Sequence, residues 1–310
     1  MGGHFGDRLA AAVREKGVVC VGLDPRVALI PPVVVADRVE PSVDARVRSA
    51  IADFHRVVID AVADLVPVVK LQLAFYEQYG VAGMEAFRDT VAAACDAGLL
   101  VIADGKRNDV PSTAEAYARA FLQPGAERGE ELPAAFEVDA LTVNPFLGRD
   151  SVEPFVEQAV GAGKGAFVLV KTSNPGSGDL QDLVLADGRP LYAAVAELTA
   201  SLGAPFVGAS GYAPVGAVVG CTHPEAAAEV RALLPHAMLL VVGYGAQAGD
   251  ALGASRCFQP GMGGAIVNAS RSVTYDAPRA GTLAELRASI RGNVERMAAD
   301  LEAAAATSVS

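Results

Sequence analysis

The chain has 310 residues, of which 52% are hydrophobic and 20% are charged, so it holds enough apolar material for a sizeable core. Its net charge of −11 argues against non-specific binding to nucleic acid, because a phosphate backbone requires clustered lysine and arginine side chains. A small anionic ligand needs only a local positive site and is not excluded. No apolar run is long enough to span a membrane, and residues 1–14 lack the apolar segment of a signal peptide.

The cysteines and histidines predict neither a disulfide framework nor a metal site. The four cysteines form no C-x-x-C pair and are scattered along the chain: Cys20, Cys95, Cys221 and Cys257. This spacing is typical of reduced packing residues in a cytoplasmic protein. The histidines show no metal-binding spacing, so we expect no metal ion and interpret three of them as structural: His55, His223 and His236.

Apolar runs and amphipathic segments alternate along the chain. The first third predicts, in order, a helix (7–16), a strand (18–24), a long loop with a helical turn (25–48), a helix (51–65), a strand (66–71), a helix (81–97) closed by Gly98, and a strand (99–103). The middle predicts a helix (111–121), a polar connector (123–137), a strand (138–143), a helix to about residue 160 capped by Asp150 or Ser151, a strand (165–170), a mobile Gly/Asp-rich loop (176–189) and a helix (190–202). The remainder predicts strands at 215–220, 237–242 and 265–267, with helices at 223–234 and 283–305.

The number and order of these elements predict the fold class. Strands that alternate with helices indicate a parallel sheet, and eight such units predict a closed (β/α)8 TIM barrel. We expect a single domain over residues 1–310, with its core at about 18–275. An open doubly wound sheet is the alternative, but its glycine-rich turn normally follows the first strand, whereas here that turn follows the seventh.

The strand at 99–103 runs into four charged residues within six positions, ending at Asp109. Side chains alternate along a strand, so Ile102, Asp104 and Lys106 are expected to share the inward face. Asp109 lies past the strand, where the chain turns into a helix, and cannot be assumed to point the same way.

The strand ends of a barrel converge on one site, and their polar residues form a set of candidates. The candidates are Asp24, Lys70, Asp104, Lys106, Asn144, Lys171 or Ser173, Gln247 and Arg271. The first four are two aspartates and two lysines on three adjacent strands, and unlike charges 4 Å apart are coupled by about 4 kcal/mol at an intermediate dielectric. Such an array keeps the lysines protonated, and an ammonium group held there can stabilise developing negative charge and deliver a proton to a carbanion. The alternative is a buried ion pair that only ties the barrel mouth, although burying four charges for that purpose is costly.

A second set of residues predicts a phosphate site. The turn at residues 243–247 (GYGAQ) follows the seventh strand, and Arg271 follows the eighth; the loops after these strands form the recurring phosphate site of this fold. Glycines let backbone N–H groups approach phosphate oxygens, and an arginine adds a bidentate contact. The alternative is a simple tight turn with a solvated Arg271. Ser173 and Asn144 each precede or lie near a proline, so turn roles explain these two residues equally well.

The motif Asp104-x-Lys106-x-x-Asp109 resembles the D-x-K-x-x-D signature of the orotidine 5′-phosphate decarboxylase family. Four further motifs resemble its longer, bacterial subfamily: Lys106-Arg107-Asn108-Asp109, Val143-Asn144-Pro145-Phe146-Leu147-Gly148, Lys171-Thr172-Ser173-Asn174-Pro175 and Asn268-Ala269-Ser270-Arg271-Ser272. The resemblance runs from about residue 18 to about 275. It implies a TIM-barrel homodimer, working without cofactor or metal, that converts orotidine 5′-phosphate to UMP and CO2 in the last step of de novo pyrimidine synthesis.

The resemblance also implies residue roles. Lys106 would be the proton donor to C6, with Lys70 and Asp104 as charged neighbours, and Asp109 would reach the active site of the partner subunit. Substrate binding would involve ribose contacts from Asp24 and Lys70, a pyrimidine contact from Ser173, phosphate contacts from Gln247 and Arg271, Thr113 near the shared site, and also Asn144 and Ser270.

Two residues depart from the family's usual phosphate turn, Pro-Gly-x-Gly-Ala-Gln-Gly-Gly: Val242 replaces the proline and Ala248 replaces a glycine. Two rivals also remain. A metal-dependent decarboxylase or aldolase of the same superfamily would need an acidic ligand near the end of the second strand, where this chain has Lys70. A non-catalytic binding protein for a phosphate ligand would need only the phosphate turn.

Overall fold

The computed structural model describes residues 3–36, 40–123, 125–127, 130–132, 135–245, 249–276 and 280–308. Its centre is a closed barrel of eight parallel strands. They are β1 (Val19–Leu23), β2 (Val68–Gln72), β3 (Leu100–Arg107), β4 (Ala140–Val143), β5 (Gly165–Lys171), β6 (Val215–Gly220), β7 (Leu239–Val242) and β8 (Ala265–Ala269). Each strand pairs in parallel with the next one along the chain, and β8 closes on β1. The predicted TIM barrel is confirmed.

Helices surround the barrel. The α-helices are Phe5–Lys16, Pro32–Val35, Val43–Val62, Leu73–Glu77, Gly80–Asp96, Pro111–Phe121, Arg149–Gly161, Gly178–Gln181, Leu191–Gly203, Pro224–Leu233, Ala251–Ser255, Arg271–Thr274 and Leu283–Ser308. Short 3-10 helices occur at Val27–Leu29, Pro175–Ser177, Ala204–Phe206 and Pro260–Met262. No helix among the described residues is long and apolar enough to cross a membrane.

Several boundaries differ from the sequence predictions. The predicted cap at Asp150 or Ser151 is wrong: the N-cap is Gly148 at φ 95°, and the Ser151 hydroxyl donates to the Gly148 carbonyl from inside the first turn. The connector at 123–137 contains an antiparallel ribbon, Gly125–Glu127 with Glu130–Leu132. The loop at 176–189 contains a helix and a β-bridge from Val184 to Pro190, and the helix predicted to start at residue 51 begins at Val43. Apolar periodicity does not reveal these features because they depend on turn geometry and polar contacts.

The N-terminal helix closes the end of the barrel opposite the site. Its Phe5 ring meets Phe167 of β5 edge to face, with centroids 6.0 Å apart. A Cβ at Gly165 would lie 2.2 Å from the Phe5 ring, so the strand needs glycine there. Arg8 on the same helix donates to Asp139, just before β4, at 2.6 Å. Apolar packing and one partly buried ion pair therefore hold this helix against the strands.

Two irregularities in strand pairing decide which polar side chains enter the barrel. Between β3 and β4, Ala103 pairs with Leu141 and Arg107 with Val143, so three residues of β3 oppose one residue of β4. Between β5 and β6, Leu169 pairs with Val218 but Lys171 with Val219. Extra residues of this kind bend a strand and redirect its side chains, as is common beside active sites.

Candidate active site

A cavity of about 470 Å³ opens at the carboxyl ends of the strands. Its lining combines charged and polar residues with a few apolar ones: Asp24, Arg26, Lys70, Gln72, Phe75, Asp104, Lys106, Leu169, Thr172, Ser173, Asn174, Val218, Leu240, Val242, Gly243, Tyr244, Asn268, Ala269, Ser270 and Arg271. Most of the predicted site residues therefore meet in one cavity, which has the size of a small-molecule site.

The carboxylate of Asp104 is the centre of the polar cluster. One oxygen, Oδ1, accepts from Lys106 Nζ at 2.6 Å and from the Thr142 hydroxyl at 2.8 Å. The other, Oδ2, accepts from Lys70 Nζ at 2.8 Å and from Gln72 Nε2 at 2.9 Å. Four donors hold this buried carboxylate in one orientation, and the predicted array of lysines and aspartate is thus assembled in the structure.

Electrostatics keeps the centre of this array charged. Burial alone would favour neutral Lys70, but Asp104 and Asp24 outweigh it and raise the pKa of Lys70 above its usual value. Burial would likewise favour protonated Asp104, but Lys70 and Lys106 outweigh it and lower the pKa of that carboxyl. Lys70 and Asp104 are 3% and 5% exposed, whereas the Lys106 side chain is 42% exposed. The array therefore has a buried, fixed part and one ammonium group that faces the cavity.

Gln72 and Thr142 also contact Asp104, and the sequence interpretation did not include them. Gln72 follows Lys70 by two positions on β2, so strand alternation could have identified it. Thr142 lies in the middle of β4, and no sequence signal separates it from an ordinary core residue.

Asp24 lies on the cavity wall just past β1. Its Oδ1 is buried, and no described residue forms a hydrogen bond with that atom. The Tyr275 hydroxyl, which donates to the Asp24 backbone carbonyl at 3.1 Å, fixes the loop that carries it. A buried carboxylate oxygen without a donor is suited to a ligand hydroxyl.

Ser173 lines the cavity on the opposite side. A Cβ on Gly220 or on Gly243 would lie 2.7 Å from Ser173, so both glycines leave the space that the serine occupies. The Thr222 hydroxyl donates to the Ser173 carbonyl at 3.1 Å. Lys171, the alternative to Ser173 in the sequence analysis, is turned away: it is 1% exposed and forms an ion pair with Asp182 at 2.5 Å.

The predicted phosphate turn follows β7. Gly243 and Gly245 have φ values of 94° and 74°, which are left-handed conformations that favour glycine. Ser270 and Arg271, after β8, line the same part of the cavity. A Cβ on Gly22 would lie 1.9 Å from the Ser270 hydroxyl oxygen, so β1 needs glycine where Ser270 approaches it.

Val242 and Tyr244, on either side of Gly243, also line the cavity. Val242, which stands where the family has proline, ends β7. The Tyr244 hydroxyl donates to Asp300 of the C-terminal helix at 2.5 Å. The predicted residues Gln247 and Ala248 lie outside the described residues.

Asp109, Thr113 and Asn144 are absent from the cavity lining. Asp109 lies two residues past the end of β3, and its Oδ1 accepts from the Val110 backbone N–H at 2.8 Å. The Asn144 side-chain oxygen accepts from the Phe146 N–H at 3.0 Å, which is the turn contact that the sequence left as an alternative. The sequence left the direction of the Asp109 side chain open, and in the structure this residue does not line the cavity of its own barrel.

Comparison with known proteins identifies the family. The profile of the orotidine 5′-phosphate decarboxylase / HUMPS family matches residues 17–286. The chain belongs to this family. The orotidine 5′-phosphate decarboxylase of Rhodopirellula baltica is 48% identical over 272 residues, which cover 87% of this chain and 88% of that protein.

Solved structures of the family agree with the fold. A crystal structure from Streptomyces avermitilis, provisionally assigned as an orotidine 5′-phosphate decarboxylase, has a TM-score of 0.78 and 34% identity, covering 99% of this chain and 98% of that one. The orotidine 5′-phosphate decarboxylase structure of Leishmania donovani has a TM-score of 0.72 and 29% identity, with coverage of 97% and 98%. The family likeness extends over the whole barrel.

Proposed function

We infer that the protein is an orotidine 5′-phosphate decarboxylase, which releases CO2 from orotidine 5′-phosphate to give UMP. The observation that carries this inference is the Asp104 carboxylate, held between the ammonium groups of Lys70 and Lys106 at 2.8 and 2.6 Å. The reaction leaves a carbanion at C6 of the pyrimidine ring, where no ring position delocalises the charge well. A fixed ammonium group beside that carbon supplies the electrostatic stabilisation that the reaction needs.

We assign the proton transfer to Lys106. The C6–carboxylate bond breaks, its electron pair stays on C6, and Lys106 Nζ donates a proton to that carbon. Lys106 is then a neutral amine, and solvent restores its proton through the open cavity. Asp104 holds the ammonium group in place and also repels the substrate's own carboxylate, and Lys70 keeps Asp104 ionised.

The remaining lining residues bind the nucleotide. Asp24 and Lys70 are suited to the ribose hydroxyls, because Asp24 Oδ1 has no donor among the described residues. Ser173 contacts the pyrimidine ring. The phosphate is held by the turn after β7 with Gln247, Ser270 and Arg271. The phosphate is remote from C6 and takes no part in breaking the bond there. Its binding free energy can therefore be used to order the site.

We propose a homodimer in which Asp109 and Thr113 complete the partner's site. Neither residue lines the cavity of its own barrel. Large apolar side chains are exposed beside them after β3 and β4: Val110 is 54% exposed, Phe146 71% and Leu147 50%. Exposed apolar groups at adjacent strand ends are typical of a subunit interface. Asn144 lies in the same loop as Phe146, so we propose that it contacts the substrate near this interface.

We further propose that the enzyme is cytoplasmic, in keeping with the four free cysteines of the chain.

The decisive experiment follows the loss of orotidine 5′-phosphate absorbance by the purified protein, with and without excess EDTA. We expect turnover that EDTA does not change. Absence of turnover would refute the proposed function. Turnover that EDTA abolishes would favour the metal-dependent rival, which requires an acidic ligand where this chain has Lys70.

A further inference from the structure

Thr142 of β4 lies at the centre of the irregular pairing between β3 and β4. It is 0% exposed, and its hydroxyl makes two hydrogen bonds at once. The oxygen accepts from the Lys106 backbone N–H at 2.9 Å, and the hydroxyl donates to Asp104 Oδ1 at 2.8 Å. One side chain thus contacts the backbone that carries the reactive lysine and the carboxylate that holds its ammonium group.

We propose that Thr142 is a positioning residue for decarboxylation: its hydroxyl fixes Lys106 and Asp104 relative to each other, so that Lys106 Nζ points into the cavity. The proposal deepens the proposed function, because it rests on Lys106 as the proton donor. It assigns Thr142 no contact with substrate.

The Thr142 hydroxyl holds the backbone of Lys106 in an unusual conformation. Lys106 has φ 48°, in the left-handed region that residues other than glycine rarely adopt. Residues 104–106 oppose Thr142 alone, and regular pairing resumes only at Arg107 opposite Val143. Because strand pairing is interrupted here, the Lys106 N–H donates to the Thr142 hydroxyl oxygen instead of to a backbone carbonyl of β4. Strained conformations of this kind persist only where the surroundings hold them, and they cluster at active sites.

The Thr142 hydroxyl also holds the Asp104 carboxylate. Lys70 and Gln72 hold Asp104 Oδ2, whereas Thr142 and Lys106 hold Oδ1. Without the hydroxyl, Oδ1 would keep only the lysine that it is supposed to orient. The carboxylate could then rotate toward Lys106, and the ammonium group would follow it away from the substrate carbon.

A purely structural role is the alternative, since β-branched residues are common in buried strands. Thr142→Val separates the two roles because it keeps the shape and removes the hydroxyl. Thr199→Val is the matched control: Thr199 is also 0% exposed, and its hydroxyl donates at 2.8 Å to the Val195 carbonyl in a helix outside the site. Thr142→Ser restores the hydroxyl without the methyl group.

The experiment measures kcat, KM, UMP affinity and melting temperature for all three variants. We expect kcat of Thr142→Val to fall about 10- to 100-fold, as for other small displacements of a reacting group. UMP affinity should change less than about threefold. Thr142→Ser should recover most of kcat, and Thr199→Val should keep it even where its melting temperature falls.

The pH profile gives a readout that packing alone would not move. The charged groups that act on Asp104 are Lys70 of β2 and Lys106 of its own strand, and Asp24 past β1 acts on Lys70. Because the Thr142 hydroxyl donates to the ionised carboxylate, its removal should move the acid limb of kcat toward higher pH.

Two outcomes would overturn the proposal. The first is a Thr142→Val enzyme with the kcat of the parent, and the second is an equal loss of kcat in Thr142→Val and Thr142→Ser. If Thr142→Val does not fold, Thr142→Ser against Thr142→Cys makes the same comparison, since a thiol is a weak hydrogen-bonding group. A parent enzyme without turnover would instead refute the proposed function.

Discussion

Lys106 Nζ lies 2.6 Å from Asp104 Oδ1, although the two residues are separated by only one position in the chain. The aspartate is buried, while the lysine side chain is 42% exposed and faces the cavity. The short contact therefore joins a fixed anion to a cation that a ligand can reach. Such a pair orients the ammonium group before substrate binds, so little reorganisation is needed during the reaction.

Replacing Lys106 with alanine tests this assignment. We expect kcat to fall by at least about 1000-fold, because the variant loses both the cation beside C6 and the proton that it delivers. UMP affinity should change less than about tenfold, since the ribose and phosphate contacts remain. Turnover is measured by absorbance and UMP binding by calorimetry.

Lys16→Ala is the control for removing a lysine, because Lys16 Nζ donates to the Ala63 carbonyl away from the cavity. It should keep the kcat of the parent enzyme. Near-parental turnover by Lys106→Ala would show that another group protonates C6.

The barrel and the pair of Lys70 with Asp104 could be predicted from the sequence because both depend on simple patterns. Apolar runs gave the eight strands, and inward alternation placed Lys70 and Asp104 on one side. The contacts of Thr142 could not be predicted in this way. They exist because three residues of β3 oppose one residue of β4, and a two-residue period contains no information about such an irregularity.

Strand alternation alone does not explain where the side chains of Lys171 and Lys106 lie. Lys171 has the sequence features of a site residue, but the register shift between β5 and β6 directs it to Asp182. Lys106 reaches the cavity, but from a left-handed conformation rather than from a regular strand. Pairing of neighbouring strands, which is a tertiary property, decides both cases.

Hybrid dimers test the proposed role of Asp109. Asp109→Ala and Lys106→Ala should each be inactive, the first because the partner's site loses a carboxylate and the second because its own site loses the proton donor. In a hybrid of the two, one of the two sites has both native residues. Mixing equal amounts after subunit exchange should restore about a quarter of the parental activity, since half of the dimers are hybrids with one complete site.

Subunit exchange must be demonstrated independently, for example by differently tagged chains that co-purify after mixing. Mixing two copies of the same variant is the control and should give no activity. Proven exchange without recovered turnover would argue against a shared site.

Arg271→Ala tests the phosphate site. A charge-assisted hydrogen bond contributes about 1.5–3 kcal/mol, and Arg271 is exposed, so we expect KM for orotidine 5′-phosphate to rise about tenfold. Inhibition by UMP should weaken to the same extent, whereas binding of uridine, which lacks the phosphate, should not change. Arg287→Ala, which removes an arginine paired with Asp60, should leave both unchanged. Equal weakening of UMP and uridine would place Arg271 elsewhere than at the phosphate.

His55 makes the stability of the fold sensitive to acid. Its ring is 1% exposed and contacts the Tyr76 hydroxyl at 3.0 Å, and burial lowers its pKa to about 3. The pKa of an unfolded histidine is about 6.5, so between these values the unfolded chain binds a proton that the folded chain does not. The free energy of unfolding should therefore fall as pH decreases from about 6.5, with a contribution of at most about 1.4 kcal/mol per pH unit.

Urea denaturation of the parent and of His55→Phe between pH 4 and pH 7 measures this contribution. His55→Phe should be less stable at pH 7, because it loses the contact with Tyr76, but the difference from the parent should shrink as pH falls. His236→Phe is the control, because His236 is exposed, and it should follow the parent at every pH. A difference between His55→Phe and the parent that stays constant with pH would mean that His55 takes up a proton in the folded core.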